Sequence, residues 1–160
     1  MAIAYFSTWT TYGTWLPGDE RGWHSRGGVW QLPDLEIVKV VQYRMTETAV
    51  ALDELQRRTV EEVIAEHGRI RGWRVHAVNC RSNHVHVVVT AAGAPLERPR
   101  EQFKYWGTRR LKEKVPDRKH WWSDGGWDVY IDEDEHLERA VQYVLEGQDR
   151  NAASDAGASG

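Results

Sequence analysis

The stretch Arg81-Ser82-Asn83-His84-Val85-His86-Val87-Val88-Val89 decides the fold. A short polar turn leads into a run of β-branched residues, which is the composition of a strand. Just before it, Trp73-Arg74-Val75-His76-Ala77-Val78-Asn79-Cys80 alternates and reads as another strand. The two form a hairpin. Val87-Val88-Val89 is apolar on both faces, as in a central strand covered by helices on one side. Successive strand side chains point to opposite faces, so His84 and His86 stand side by side. Two imidazoles on a rigid sheet supply two thirds of a divalent-metal site. The plain alternative is a pair of strand histidines with no ligand.

Upstream, residues 3–10 are aromatic and β-branched and predict a first strand. Gly13, Pro17 and Gly18 then break regular structure, and the chain stays rich in Gly and Trp through Asp34. This reads as a long loop, a frequent carrier of function. Residues 35–47 have mixed periodicity that fits a short strand or a helix. Leu52, Leu55, Val60, Val63 and Ile64 predict an amphipathic helix over 49–67, ended by Gly68.

Downstream, a second helix over about 97–114 has an apolar stripe of Phe103, Trp106 or Gly107, and Leu111, and Pro116 ends it. His120-Trp121-Trp122 and Trp127-Asp128-Val129-Tyr130-Ile131 surround Ser123-Asp124-Gly125-Gly126, which reads as a hairpin or as a final strand with a glycine turn before it. The last helix starts at Asp132-Glu133-Asp134-Glu135, whose acids suit a helix N-terminus. Leu137, Val141 and Val144 form its core stripe. The order predicts an α+β fold, a ferredoxin-like (split βαβ) antiparallel sheet with helices on one face plus a C-terminal helix. Residues 1–150 form one domain and 151–160 a disordered tail.

Composition narrows the function. The chain has 160 residues and a formal net charge of -3, so it is no overall magnet for nucleic acid. Its charge is uneven: from Glu97 to His120 inclusive stand nine basic residues and four acids. Arg109, Arg110, Lys112 and Lys104 are therefore candidate phosphate contacts, against a plain solvated face. Trp15 and Trp23 are candidates for stacking on unpaired bases, against core packing. His24 and His76 read as structural or surface residues. Cys80 is the only cysteine, so neither an intrachain disulfide nor a Cys-based zinc site is available. No apolar run approaches membrane-spanning length, and the N-terminus does not read as a signal peptide. These features predict a cytoplasmic protein, nucleoid-associated when bound to DNA, with no membrane partner.

Tyr143 lies beside the core stripe of the last helix. A tyrosine hydroxyl can attack a phosphodiester when a metal polarises the phosphate. The rival for a single helical tyrosine is a partly buried packing role.

Asn83-His84-Val85-His86-Val87-Val88 resembles the motif of single-tyrosine HUH endonucleases. Thr11-Tyr12-Gly13-Thr14-Trp15-Leu16-Pro17-Gly18-Asp19, with Arg21-Gly22, resembles the REP-associated branch of the insertion-sequence tyrosine transposases. So do Gly125-Gly126 and Glu135-His136-Leu137 leading into Tyr143-Val144-Leu145-Glu146-Gly147-Gln148. The resemblance covers roughly residues 3–150. It implies an enzyme that cuts and rejoins single-stranded DNA, often at hairpins, with His84 and His86 as ligands for Mg²⁺ or Mn²⁺. Tyr143 is then the nucleophile, leaving a 5′-phosphotyrosine and a free 3′-hydroxyl. The family's amide ligand, about one turn after the tyrosine, would fall on Gly147. Gln148 carries the expected amide, and Glu146 shares nearly the same helical face as Tyr143. Family members often form homodimers, with the tyrosine helix in cis or swapped in trans. The alternative is a domesticated, non-catalytic DNA-hairpin-binding protein.

Overall fold

A computed structural model describes residues 2–147. Gln148 and the expected tail at 151–160 lie outside the described residues. The main sheet is built from β1 (Ala4–Thr10), β4 (Arg74–Cys80), β5 (His84–Thr90) and β6 (Trp127–Ile131). Their spatial order is β4-β5-β1-β6, with every neighbouring pair antiparallel. The units β1–α2–β4 and β5–α3–β6 each leave a gap one strand wide, which a strand of the other fills. Here α2 is Glu54–Arg71 and α3 is Arg98–Lys112. This is the ferredoxin-like interleaving that the order of elements predicts.

The register assigns the two faces. Val85, Val87 and Val89 face α2 and α3, where they pack with Trp9, Cys80, Val60, Ile64, Phe103 and Leu111. Val88 points the other way, with Ala4, Ala77 and Ile131, against Ala140 and Val144 of the C-terminal helical segment. That segment is α4 (Asp134–Gln142), continued by one π turn at Tyr143–Gly147. The valine run is thus apolar on both faces because helices cover both. Each fully buried valine contributes about 1.5–3 kcal/mol.

Two expectations are corrected and one open reading is resolved. Helix α2 starts after Asp53, which forms a capping box with Gln56, and ends at Gly72 with φ 71° rather than at Gly68. Gly68 is inside the helix, where a Cβ would meet Val75 Cγ2 at 2.7 Å, so glycine permits the close helix–strand approach. The mixed stretch 35–47 contains a helix, α1 (Leu35–Arg44), capped by the Asp34 side chain. It buries none of its residues, and Leu35, Val40 and Tyr43 are exposed. No buried stripe exists to imprint a helical period. The long loop also contains a small hairpin, β2 (Trp23–His24) with β3 (Trp30–Gln31), too short to leave an alternation. Among the described residues, no helix is long and apolar enough to cross a membrane.

Candidate active site

The site begins with β5. Its register places His84 opposite Thr10 and His86 opposite Thr8 of β1, with Asn79 of β4 on the other side of His86. Both histidines share the face covered by α4, and their ring centroids are 4.8 Å apart. His86 is buried and stacks on Phe6 at 5.6 Å.

Each ring is oriented through Nδ1. His84 Nδ1 lies 2.7 Å from Asn83 Oδ1, which can only accept, so this nitrogen carries the proton. His86 Nδ1 lies 2.7 Å from Thr8 Oγ1. In the tautomer matching His84, Nδ1–H donates to Thr8 and Nε2 keeps its lone pair. Tying back one nitrogen to present the other is the usual second layer of a histidine metal site. Burial, with the charges of His84 and Arg81, pushes His86 down to about 4, so its imidazole is neutral at pH 7.

The third component arrives from α4. Ala140 and Val144 are buried in the second core, with Leu137 and Val141 packed against it. Tyr143, beside that stripe, is 46% exposed. Its ring stands edge-on to His86 at 5.7 Å and to Phe6 at 6.1 Å. Asn79 Nδ2 donates to the Val144 carbonyl at 2.9 Å, fastening the π turn to β4. Single π turns within helices are frequent at functional sites.

The structure therefore brings together His84, His86 and Tyr143, and adds Thr8, Asn79 and Phe6. The added residues carry no sequence motif, and only the strand register reveals them. Among the described residues, no three His, Cys, Asp or Glu side chains gather to hold a metal ion. Glu146 thus does not complete a set with the two histidines.

The basic residues lie elsewhere. Helix α3 packs on the opposite face of the sheet, against α2. Lys104 is turned inward, donating to the carbonyls of Ser123 and Gly125, both at 2.8 Å. Burial and neighbouring Arg100 push its ammonium down to about 8, despite nearby acids. Arg110 reaches Glu66 at 3.4 Å and Glu113 at 3.8 Å. Arg109 lies over Trp106 at 5.3 Å. Lys112 is partly exposed near the end of the same helix.

Both tryptophans singled out from the loop have their indole N–H groups engaged. Trp15 donates to the Gly22 carbonyl and is covered by the Arg21 guanidinium at 3.9 Å. Trp23 donates to the Leu32 carbonyl. His76 Nε2 lies 2.7 Å from Thr90 Oγ1, and the His24 ring packs on Trp30.

The sequence profile of the family described as "Transposase IS200 like" matches residues 32–146. No curated protein matches the sequence significantly. Among solved structures, the fold is similar to that of a REP-associated tyrosine transposase bound to a REP hairpin. That match has 12% identity and a TM-score of 0.54, covering 94% of this chain and 70% of that one. It is also similar to a crystal structure described as a candidate transposase from Deinococcus radiodurans R1. There the identity is 16% and the TM-score 0.51, with 92% of each chain covered.

Proposed function

The chain belongs to the IS200-like transposases, and from that membership we propose a metal-dependent enzyme that cuts and rejoins single-stranded DNA through a tyrosine. The observation that carries the reading is Tyr143, half-exposed, with its ring edge-on to His86 and the ring centroids 5.7 Å apart. Nearly half of its surface is open, and its ring stands edge-on to one of two oriented imidazoles.

The donor chemistry fits a divalent ion. His84 and His86 each have Nδ1 occupied by a side-chain oxygen, and His86 is neutral. We assign both as ligands for Mg²⁺ or Mn²⁺, and the third ligand to Gln148. Gln148 lies outside the described residues, and it is chosen for the chemistry of its amide oxygen, the donor type the family resemblance implies after the tyrosine. The bound ion would supply Lewis-acid polarisation of the phosphate and stabilise the departing oxygen.

Tyr143 Oη attacks the phosphorus, and the P–O bond to the 3′ oxygen breaks. The tyrosine proton passes to solvent, and the leaving 3′ oxygen is protonated to a hydroxyl. A 5′-phosphotyrosine remains, and attack by a 3′-hydroxyl reverses the chemistry and rejoins strands. The REP-hairpin partner of the similar transposase supports hairpin DNA as the substrate class. Arg109, Arg110 and Lys112 are available for phosphates beyond the catalytic face, since the ion pairs of Arg110 are exposed and weak. The reading is tested by whether Tyr143→Phe abolishes a metal-dependent covalent protein–DNA species while leaving DNA binding intact.

A further inference from the structure

The outer strand of the catalytic face carries aromatic side chains that this chemistry leaves unused. One row of residues crosses the whole sheet. Trp127 of β6 lies opposite Thr8, Thr8 opposite His86, and His86 opposite Asn79. Directly paired residues share a face, so Trp127 stands on the histidine face, two strands from His86. At about 4.8 Å per strand the separation is roughly 10 Å.

Trp127 is held on that face by its neighbour. Asp128 points to the opposite side, where Arg100 of α3 binds it at 2.9 Å, the two side chains being 8% and 12% exposed. A one-residue slip of β6 would break this shielded ion pair. Trp127 nevertheless remains 59% exposed. His24 packs on it at 5.8 Å and on Trp30 at 5.0 Å. Trp30 is 53% exposed, and its ring lies on Gly22, where a Cβ would come within 2.0 Å of the ring. Glycine at that point lets the β2–β3 hairpin extend the aromatic surface outward from Trp127.

Core packing does not account for rings this exposed, and clustered exposed apolar surface marks a binding site. Every nucleobase has a π face, and stacking on exposed aromatic rings is how unpaired strands are commonly held. In a duplex those faces are already covered by neighbouring bases. We infer that Trp127, with His24 and Trp30, is a stacking site for an unpaired base close to the phosphate presented to Tyr143. The inference rests on the proposed function for the class of ligand, single-stranded DNA. Its geometry places the stacked base roughly 10 Å from the histidine pair, so Trp127 acts as a positioning residue for the strand.

The test is equilibrium binding, without metal, of an oligothymidylate and of an abasic strand of the same length. The full-length protein is compared with Trp127→Ala and Trp127→Phe. Trp127→Ala is expected to weaken oligothymidylate binding roughly 5- to 100-fold. Trp127→Phe keeps a stacking ring and is expected to retain most of the affinity. The abasic strand, held through phosphates, is expected to bind all three alike. Equal weakening of both strands, or no weakening of either, overturns the inference, as does a wild-type protein that does not prefer the base-bearing strand. No cleavage is involved. Loss of the covalent species with this stacking pattern intact would refute the chemistry alone. A covalent species with oligothymidylate binding unaltered in Trp127→Ala would refute the stacking site alone.

Discussion

Thr8 Oγ1 lies 2.7 Å from His86 Nδ1, so a hydroxyl on β1 fixes the orientation of an imidazole on β5. Thr8→Val keeps the β-branched shape and removes only this contact. Metal-dependent joining to DNA is expected to fall about 10- to 100-fold, with weaker apparent metal affinity. His86 Nδ1 is left unpaired at a cost of about 1–3 kcal/mol. Metal titration of the joining rate, beside a thermal melt, checks both. Unaltered metal dependence would show that the hydroxyl does not orient a ligand.

Asn79 joins the sheet to the helix that carries Tyr143, through the Val144 carbonyl at 2.9 Å. Asn79→Leu releases that tie one residue from the tyrosine. A small displacement of a reacting group can cost about 100-fold in rate, so single-turnover joining is expected to slow by up to that factor. Affinity for single-stranded DNA is expected to be unchanged, because Asn79 is partly buried beneath the turn. A parallel loss of binding and joining would indicate general damage to the fold instead.

Glu47 links two loops. Its carboxylate accepts from the Lys119 and His120 main-chain N–H groups at 2.9 and 2.7 Å, and lies 2.7 Å from His120 Nδ1. The Lys119 bond first, then the His120 bonds and Arg118, hold its carboxyl at about 2 against an ordinary 4.5. A depressed carboxylate stabilises the fold fully above its ordinary value and loses that contribution as pH falls toward the folded value. The wild-type chain is therefore expected to melt above Glu47→Gln at neutral pH, with the gap closing between about pH 4.5 and 2. Melting temperatures across that range check it, and a gap independent of pH would contradict it.

Local pattern made much of the molecule legible from sequence. Strand β5 was readable from its valines and histidines, and α3 from Phe103, Gly107 and Leu111. His84 and His86 were readable as a pair because their spacing in a strand fixes that they share a face, whereas Tyr143 was singled out by the family resemblance. Thr8 and Asn79 were not, since their roles come from register with strands far away in sequence. Arg109 and Arg110 were legible as charge, but the sheet face their helix covers is a property of the topology. Helix α1 left no trace in the pattern because nothing buries its apolar residues. Trp127 read as a strand aromatic, and the face it stands on follows only from the register of β6 against β1.

The central claim is that Tyr143 becomes covalently joined to DNA. The most direct measurement is a denaturing gel of the protein mixed with labelled single-stranded oligonucleotides, including hairpins from the DNA flanking its own gene. Reactions contain Mn²⁺, Mg²⁺ or a chelator. The account predicts a protein–DNA band that requires metal and is absent in Tyr143→Phe and His86→Ala, with Tyr143→Phe still binding the same DNA. Cleavage without that band, unchanged in Tyr143→Phe, would contradict it and make water the nucleophile. Binding with no covalent band under any metal would contradict it in favour of a protein that holds hairpins without cutting them.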